Sequence, residues 1–389
     1  MHKRNSNAEA SDTNSDQWSQ AWLDGFEEAW SLEAPTDFRD KEISTRIHGN
    51  RLVRITSTSE TATVAVFDIS KNNPRQLWET QQDVSEAIDR TTIWDGRIVV
   101  ENTLIDVYSQ ERSVAPWDAD ARVSITSTGA IACVDSTCRY WTSPSEMAWE
   151  TDFGTDSPVT VQSSKIVDGY TLASSSDYDH FVVDLSTGAT NELDTNKHTI
   201  QQPLADGWLV RSGGGSRKES TIDLYEPDGT FSESFKYNES ASFSSYPWSP
   251  TPFTREQAKL WLKDLDTSWA PSSYSASETD TSCKSITING NDIVLGKDNA
   301  LFGVNRKKEC ASTSALQALY HSGQGQVQKF SKRDGYKLSL VLVDMVTGRA
   351  SEPIPLGTTE ERPSHRSIGD LLLVEFKYGK VIAYRPSSS

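Results

Sequence analysis

The sequence predicts an all-β fold, a β-propeller of four-stranded blades. Three observations carry that prediction: a glycine turn motif that recurs along the chain, an aspartate motif that closes a strand, and a tryptophan that follows it. The turn motif is Gly, one or two residues, then a run of β-favouring side chains. It reads "HGNRLVRI" at Gly49, "DGRIVV" at Gly96, "TGAIACV" at Gly129, "DGYTLA" at Gly169 and "DGWLV" at Gly207. It returns as "NGNDIVL" at Gly290, "DGYKLSL" at Gly335 and "IGDLLLV" at Gly369. The first five lie 47, 33, 40 and 38 residues apart, a period that four short strands and their turns would fill.

Within a period the elements fall in a fixed order. A first strand leads to the glycine turn, and an apolar second strand such as "RIVVEN" follows it. After a polar hairpin comes a third strand that ends in the aspartate motif. Its copies are "VAVFDIS" (64–70), "LIDVYSQ" (104–110), "VVDLSTG" (182–188), "TIDLYEPDG" (221–229) and "LVDMVTG" (342–348). Gly in that motif permits a turn conformation closed to other residues, and Asp or Thr can cap turn amides. The motif therefore reads as a corner between strands. A fourth, edge strand carries tryptophan in "RQLWET" (Trp78), "VAPWDA" (Trp117) and "MAWETD" (Trp149), where it would fill space between adjacent sheets. Later periods replace it with smaller residues, as in "TNELD" and "SEPIPL".

The ends complement each other. "EEAWSLEAP" near the N-terminus looks like a fourth strand with no blade before it, and "IGDLLLVEFKYGKVIAYRP" like a last blade lacking one. Joining them would close the ring, leave no open sheet edge and set Trp30 near Tyr384. Eight blades are favoured, with seven as the alternative, because "DGYKLSLVLVDMVTG" has no internal hairpin and Gly335 could instead sit at a hairpin tip. Residues 1–15 are expected to be a disordered tail and residues 16–389 a single propeller domain, interrupted by an insertion at 238–282.

Two segments break the repeat. In "TPFTREQAKLWLKDLDTSW", Thr254 and Gln257 have capping-box spacing, and Ala258, Leu262 and Leu265 share a helical face beside Trp261. A short helix docked on the propeller is expected. Loops inserted into repeat scaffolds also carry function, so Trp248, Trp261 and Trp269 are the candidate binding residues. At the N-terminus Trp18, Trp22 and Phe26 recur every four residues, as on a helix that would dock on its own propeller.

"VFDISKNNPRQLWE" (66–79) resembles the PQQ-like β-propeller repeat, whose blades read apolar-Asp-x-x-Thr-Gly-x-x-x-x-Trp; "VVDLSTGATNEL" and "LVDMVTGRASEP" match its first half. The family includes quinoprotein dehydrogenases and non-enzymatic scaffolds such as the lipoprotein of the outer-membrane barrel assembly machinery. The dehydrogenases set an adjacent Cys-Cys pair over PQQ. No two cysteines are adjacent here, so the resemblance implies a scaffold-type propeller without PQQ or other cofactor.

No reactive constellation stands out. His2, His48, His180, His198, His321 and His365 form no HxxxH or HExxH, and there is no GxSxG. "DYDHF" (177–181) places two carboxylates beside a His, and reads as a solvated acidic hairpin ahead of a metal site. "RSGGGSRKES" (211–220) lacks the strand-Gly-Lys-helix context of a phosphate loop and reads as a hairpin. With 55 acidic residues, no carboxylate pair is distinctive.

Composition bounds the partners. The net charge of −17 opposes nucleic acid and anionic membrane surfaces. No run of 18 apolar residues is present, so no helical membrane span is expected. Twelve each of Trp, Tyr and Phe argue for a packed fold. Cys133 and Cys138 flank Asp135-Ser136 in "AIACVDSTCRYW", where a two-residue turn would set them face to face across a hairpin. Cys283 and Cys310 would then close a second loop. The alternative is four free thiols in a cytosolic protein; paired cysteines place the chain outside the cytoplasm, secreted or anchored through a segment absent from it. The expected function is a non-catalytic interaction scaffold for a protein or envelope component. The rivals are a ligand-sensing ectodomain and an enzyme acting on a glycan or small molecule.

Overall fold

The computed structural model describes residues 18–36, 41–85, 88, 91–193, 199–212, 219–238, 247–248, 254–256, 258–259, 284–288, 291–295, 301–302, 316–318, 327–334, 336–344, 349–361 and 363–387. Phe26–Leu32 is β1. Four consecutive sheets follow from Glu42–His48, Arg51–Ser57, Thr61–Asp68 and Arg75–Asp83 (β2–β5); Thr92–Trp94, Arg97–Val100, Thr103–Asp106 and Arg112–Val114 (β6–β9); Arg122–Ile125, Ala130–Val134, Thr137–Ser143 and Glu146–Asp152 (β10–β13); and Val159–Val167, Tyr170–Ser175, His180–Asp184 and Thr190–Leu193 (β14–β17). Thr199–Leu204, Gly207–Ser212, Glu219–Tyr225 and Phe231–Asn238 (β18–β21) make a fifth. Then come Pro247–Trp248 (β22), Lys284–Ile288 and Asn291–Leu295 (β23, β24) and Leu301–Phe302 (β25). Leu316–Ala318, Val327–Asp334, Lys337–Asp344 and Ile354–Thr358 are β26–β29, and Ser364–Ile368, Leu371–Glu375 and Val381–Pro386 are β30–β32.

Six of these groups are four-stranded antiparallel sheets in sequence order, and a seventh is β1-β32-β31-β30. β22 with β25 and β23 with β24 form two-stranded pairs. This is an all-β, β-propeller-like repeated fold. The predicted pairing of the chain ends is present, with Glu28 opposite Tyr384 and Trp30 opposite Ala383. The chain divides into two compact units, Met1–Ala119 with Val327–Ser389, and Asp120–Gln326.

Why one sequence pattern makes one sheet is visible in the burial. Second and third strands lie between neighbouring sheets and are covered on both faces: Ala130–Cys133 and His180–Val183 are buried without interruption. Fourth strands sit outside, so β9 is exposed throughout and β5 in alternate or successive positions. In the first unit Val53, Ile55, Val64 and Val66 pack on Ile98, Val100 and Ile105 of the next sheet. In the second, Ile131, Tyr140 and Trp149 pack on Ala173, Phe181 and Val183. First strands approach one another, β2 with β6 and β10 with β14. The Ser44 and Thr91 hydroxyls meet at 2.8 Å, and the Ser124 hydroxyl donates to the Val161 carbonyl at 2.8 Å.

Cys133 and Cys138 are directly opposite in the β11–β12 hairpin and form a disulfide, closed by the predicted Asp135-Ser136 turn. Cys283 and Cys310 lie outside the described residues, as does the tail 1–15.

Three expectations change. Phe26 does not continue a helix from Trp18 and Trp22: the helix is a single 3-10 turn, Gln20–Leu23, and Gly25 at φ 143° releases the chain into β1. Trp117 is not on the fourth strand, because β9 ends at Val114 ahead of Pro116, which cannot continue a ladder; Trp117 instead folds back on Trp94, ring centroids 5.4 Å apart. The "DGYKLSL" motif falls between β27 and β28, a second and a third strand, since Asp334 pairs with Lys337; Gly335 itself lies outside the described residues. Trp30 lies opposite Ala383, beside Tyr384 as expected, and Phe26 meets the Tyr384 ring edge to face at 5.7 Å.

Candidate functional site

The two recurring motifs interlock. Asp184 ends the third strand of its sheet, and its Oδ1 accepts from the Ser186 N–H and hydroxyl, both at 2.7 Å. The Gly188 N–H donates to the Asp184 carbonyl at 2.8 Å, with Gly188 at φ 76°. Asp106 does the same for the Tyr108 and Ser109 N–H groups, at 2.9 and 2.7 Å. Partial burial pushes the Asp184 carboxyl up, but the hydrogen bonds from Ser186 and Thr187 outweigh it and hold the group below its ordinary pKa. The next residue reaches the glycine turn of the same sheet: N–H of Ile69 to the Asn50 carbonyl (3.0 Å), of Val107 to Gly96 (3.0 Å) and of Leu185 to Gly169 (2.9 Å). These aspartates are occupied in holding a corner.

The fourth strand of one sheet then locks onto the corner of the next. The Trp78 indole N–H donates to the Val107 carbonyl at 3.2 Å, and the Trp149 indole to Leu185 at 3.0 Å. The Thr151 hydroxyl donates to the Gly188 carbonyl at 2.8 Å. A Cβ at Gly188 would come within 2.7 Å of the Trp149 ring, so the glycine also makes room for the tryptophan. Where tryptophan is missing from "TNELD", the Asn191 side-chain amide donates to the Asp228 carbonyl of the following corner at 3.2 Å. Sequence reasoning missed this substitution; the signal was a retained N–H donor at the position opposite Val182, two residues before the motif aspartate.

The insertion is anchored at its base. Arg255, Glu256, Ala258 and Lys259 are helical, and Ala258 is fully buried. Asp206, in the β18–β19 turn, accepts from the Arg255 N–H at 2.7 Å, and the Arg255 guanidinium pairs with Glu226. Lys259 reaches Glu233 at 3.5 Å. A helical turn docked on its own sheet is therefore present. Of the candidate binding residues, Trp248 lies on β22 opposite Leu301. Trp261 and Trp269 lie outside the described residues.

The "DYDHF" hairpin joins β15 to β16. The Ser175 hydroxyl oxygen accepts from the Asp177 and Asp179 N–H groups, at 3.2 and 3.0 Å, and donates to the Asp179 carboxylate at 2.9 Å. Ser157 bonds Asp177. His180 is buried, and burial pushes its imidazole pKa down, with Asp179 opposing. Among the described residues no group of three or more His, Cys, Asp or Glu is placed to hold a metal ion. "RSGGGSRKES" spans the β19–β20 hairpin, whose tip lies outside the described residues.

Three of the five exposed aromatics among the described residues share one kind of turn; Phe231 opens β21 and Tyr108 lies at a corner. Tyr108, Tyr178, Tyr336 and Tyr378 are the tyrosines that stand out among the described residues, 54%, 56%, 70% and 47% exposed. Tyr178, Tyr336 and Tyr378 all occupy second-to-third hairpins, between β15 and β16, β27 and β28, and β31 and β32. Tyr108 sits at a corner with the Arg51 guanidinium 5.4 Å from its ring. No helix among the described residues is long and apolar enough to cross a membrane.

No family model and no curated protein matches the chain. Solved structures that align along most of it include the computationally designed Ika8 protein, at 12% identity, covering 92% of this chain and 99% of that one with a TM-score of 0.46. BamB from Moraxella catarrhalis aligns at 12% identity over 88% and 81%, TM-score 0.34. The Neurospora crassa Pan2 WD40 domain aligns at 8% over 94% and 96%, TM-score 0.38. The fold assignment rests on strand order and register, not on these alignments.

Proposed function

We propose that the chain is a non-catalytic, extracytoplasmic scaffold that binds a protein or another envelope component. It would be a single eight-bladed propeller of the PQQ-like repeat type, with β23–β25 contributing to the remaining blade. The observation that carries the binding role is the recurrence of an exposed tyrosine at equivalent hairpin tips, Tyr178, Tyr336 and Tyr378. Tyrosine is enriched at protein interfaces because it offers a large, amphipathic contact surface with few rotatable bonds. Exposing three of them on short, hydrogen-bonded turns gives anchors that lose little freedom on binding. The buried Cys133–Cys138 disulfide supports an oxidising compartment. The insertion, held at Arg255, would add Trp248, Trp261 and Trp269 to the contact area.

Crosslinked capture from envelope extracts tests this reading. Wild-type protein should retain a defined partner, and should turn over no envelope glycan. Measurable turnover with no retained partner would favour the enzyme alternative and remove the scaffold reading.

A further inference from the structure

Trp18–Asp24 carries core-like aromatic surface yet belongs to no sheet. Trp22 and Leu23 are 2% and 6% exposed, Trp18 is 7% exposed, and the two indoles meet edge to face at 5.2 Å. The 3-10 turn packs on β28 and β32. Its polar contacts are made to the corner that follows β28. The Gln20 amide donates to the buried Asp344 carboxylate at 3.2 Å; the Arg349 guanidinium donates to the Leu23 carbonyl at 3.3 Å and pairs with Asp24. Asp344 and Arg349 are themselves fixed to each other, the Asp344 N–H donating to the Arg349 carbonyl at 2.8 Å. The surface that receives the segment is thus built by the sheets.

The segment has the character of a bound peptide. It is one helical turn, its N-cap Ser19 makes no side-chain capping bond, and side chains hold it where the repeat uses strand pairing. Elsewhere in this unit Trp78 and Trp30 reach neighbouring sheets from fourth strands; β29 has no tryptophan, and here the aromatic pair arrives from outside the repeat. The fit is also incomplete. The Trp18 indole N–H is buried without a hydrogen-bond partner among the described residues, a defect that weakens the contact.

We propose that the surface on β28 and β32 is a peptide-docking site, occupied in cis by Trp18–Asp24. Its partner would be a protein segment of matching chemistry: two tryptophans four residues apart, a side-chain donor between them for Asp344, and a Leu-acidic pair for Arg349. A partner that also offers an acceptor to the first indole would complete what the cis segment leaves unmet. This goes beyond the tyrosine tips, and it can fail while they bind, or hold while they do not.

Because a tethered segment competes at high effective concentration, the test uses the full chain with its own segment disabled. Fluorescence anisotropy would follow a labelled synthetic peptide of residues 16–26, DQWSQAWLDGF, added to the Trp18→Ala/Trp22→Ala chain. Binding should be saturable and at least tenfold tighter than to the wild-type chain. Adding Arg349→Glu should weaken it at least tenfold, and a peptide carrying Asp24→Arg should recover most of that loss. If the double variant does not fold, the Asp24→Arg chain serves instead, and should bind the native peptide more tightly than wild type does. No saturable binding, equal binding of a scrambled peptide, or indifference to Arg349→Glu would each overturn the proposal.

Discussion

Gly188 meets two demands at once. Its φ of 76° suits a residue without a Cβ, and the space beside it belongs to the Trp149 ring. Gly188→Ala should therefore destabilise the protein by about 1–3 kcal/mol, and Trp149→Ala by about 3–5 kcal/mol through the lost aromatic packing. The double variant should cost less than the sum, since the two residues touch; urea denaturation of the three proteins reads all of this. The corner aspartates add a pH dependence. Hydrogen bonds hold the Asp184 carboxyl below its ordinary pKa, so its contribution is present above the unfolded carboxyl pKa of about 3.9 and lost as pH falls through the lower folded value. His180 acts in a higher window. With its folded pKa lowered by burial, the unfolded chain takes up the proton first, and stability should decline as pH drops below about 6.5. Melting temperatures of wild type and His180→Gln between pH 8 and pH 5 should converge at the acid end; parallel curves would argue against a neutral buried imidazole.

At the scale of the element, the Cys133–Cys138 hairpin and the insertion base lend themselves to direct tests. The disulfide spans a sequence separation of 5, and closing so short a loop in the unfolded chain corresponds to about 2 kcal/mol. Cys133→Ala/Cys138→Ala should lose about that much in denaturant titration. Arg255→Ala removes the pairings to Asp206 and Glu226 and should hasten proteolysis near the insertion without lowering the main melting transition. The glycine turns at Gly49, Gly96, Gly129, Gly169, Gly207 and Gly369, the corners at Asp68, Asp106 and Asp184, the terminal strand pair and the cysteine hairpin were legible, because each depends on residues close together in sequence or on a strict alternation of strands. Asp223, by contrast, lies inside β20, and the corner there falls at Glu226. What was not legible depends on contacts between sheets. Nothing local announces that the Trp78 indole reaches the Val107 carbonyl of the next sheet, or that Asn191 can take the place of a tryptophan. Phe26 misled because its four-residue spacing from Trp22 crosses Gly25, where the helix stops.

For the whole molecule, the recurring residues are used up in joints. Asp106 and Asp184 hold corners, Trp78 and Trp149 tie sheets together, and the acidic hairpin at Asp177–Asp179 is bonded into its own turn. The candidate binding surface was less legible than the fold, because exposure at a hairpin tip is a property of the folded chain. Tyr178, Tyr336 and Tyr378 share no sequence context beyond a nearby Asp or Gly. Their roles separate cleanly from those of the joints, since turn-tip tyrosines contribute little to a core. The decisive measurement is crosslinked partner capture by the Tyr178→Ser/Tyr336→Ser/Tyr378→Ser protein beside wild type, with melting temperatures taken on the same samples. A scaffold that binds through these tips should lose its partner while melting within about 2 °C of wild type, surface substitutions of this kind being worth only about 0.5 kcal/mol. Undiminished capture of the same partner would contradict it.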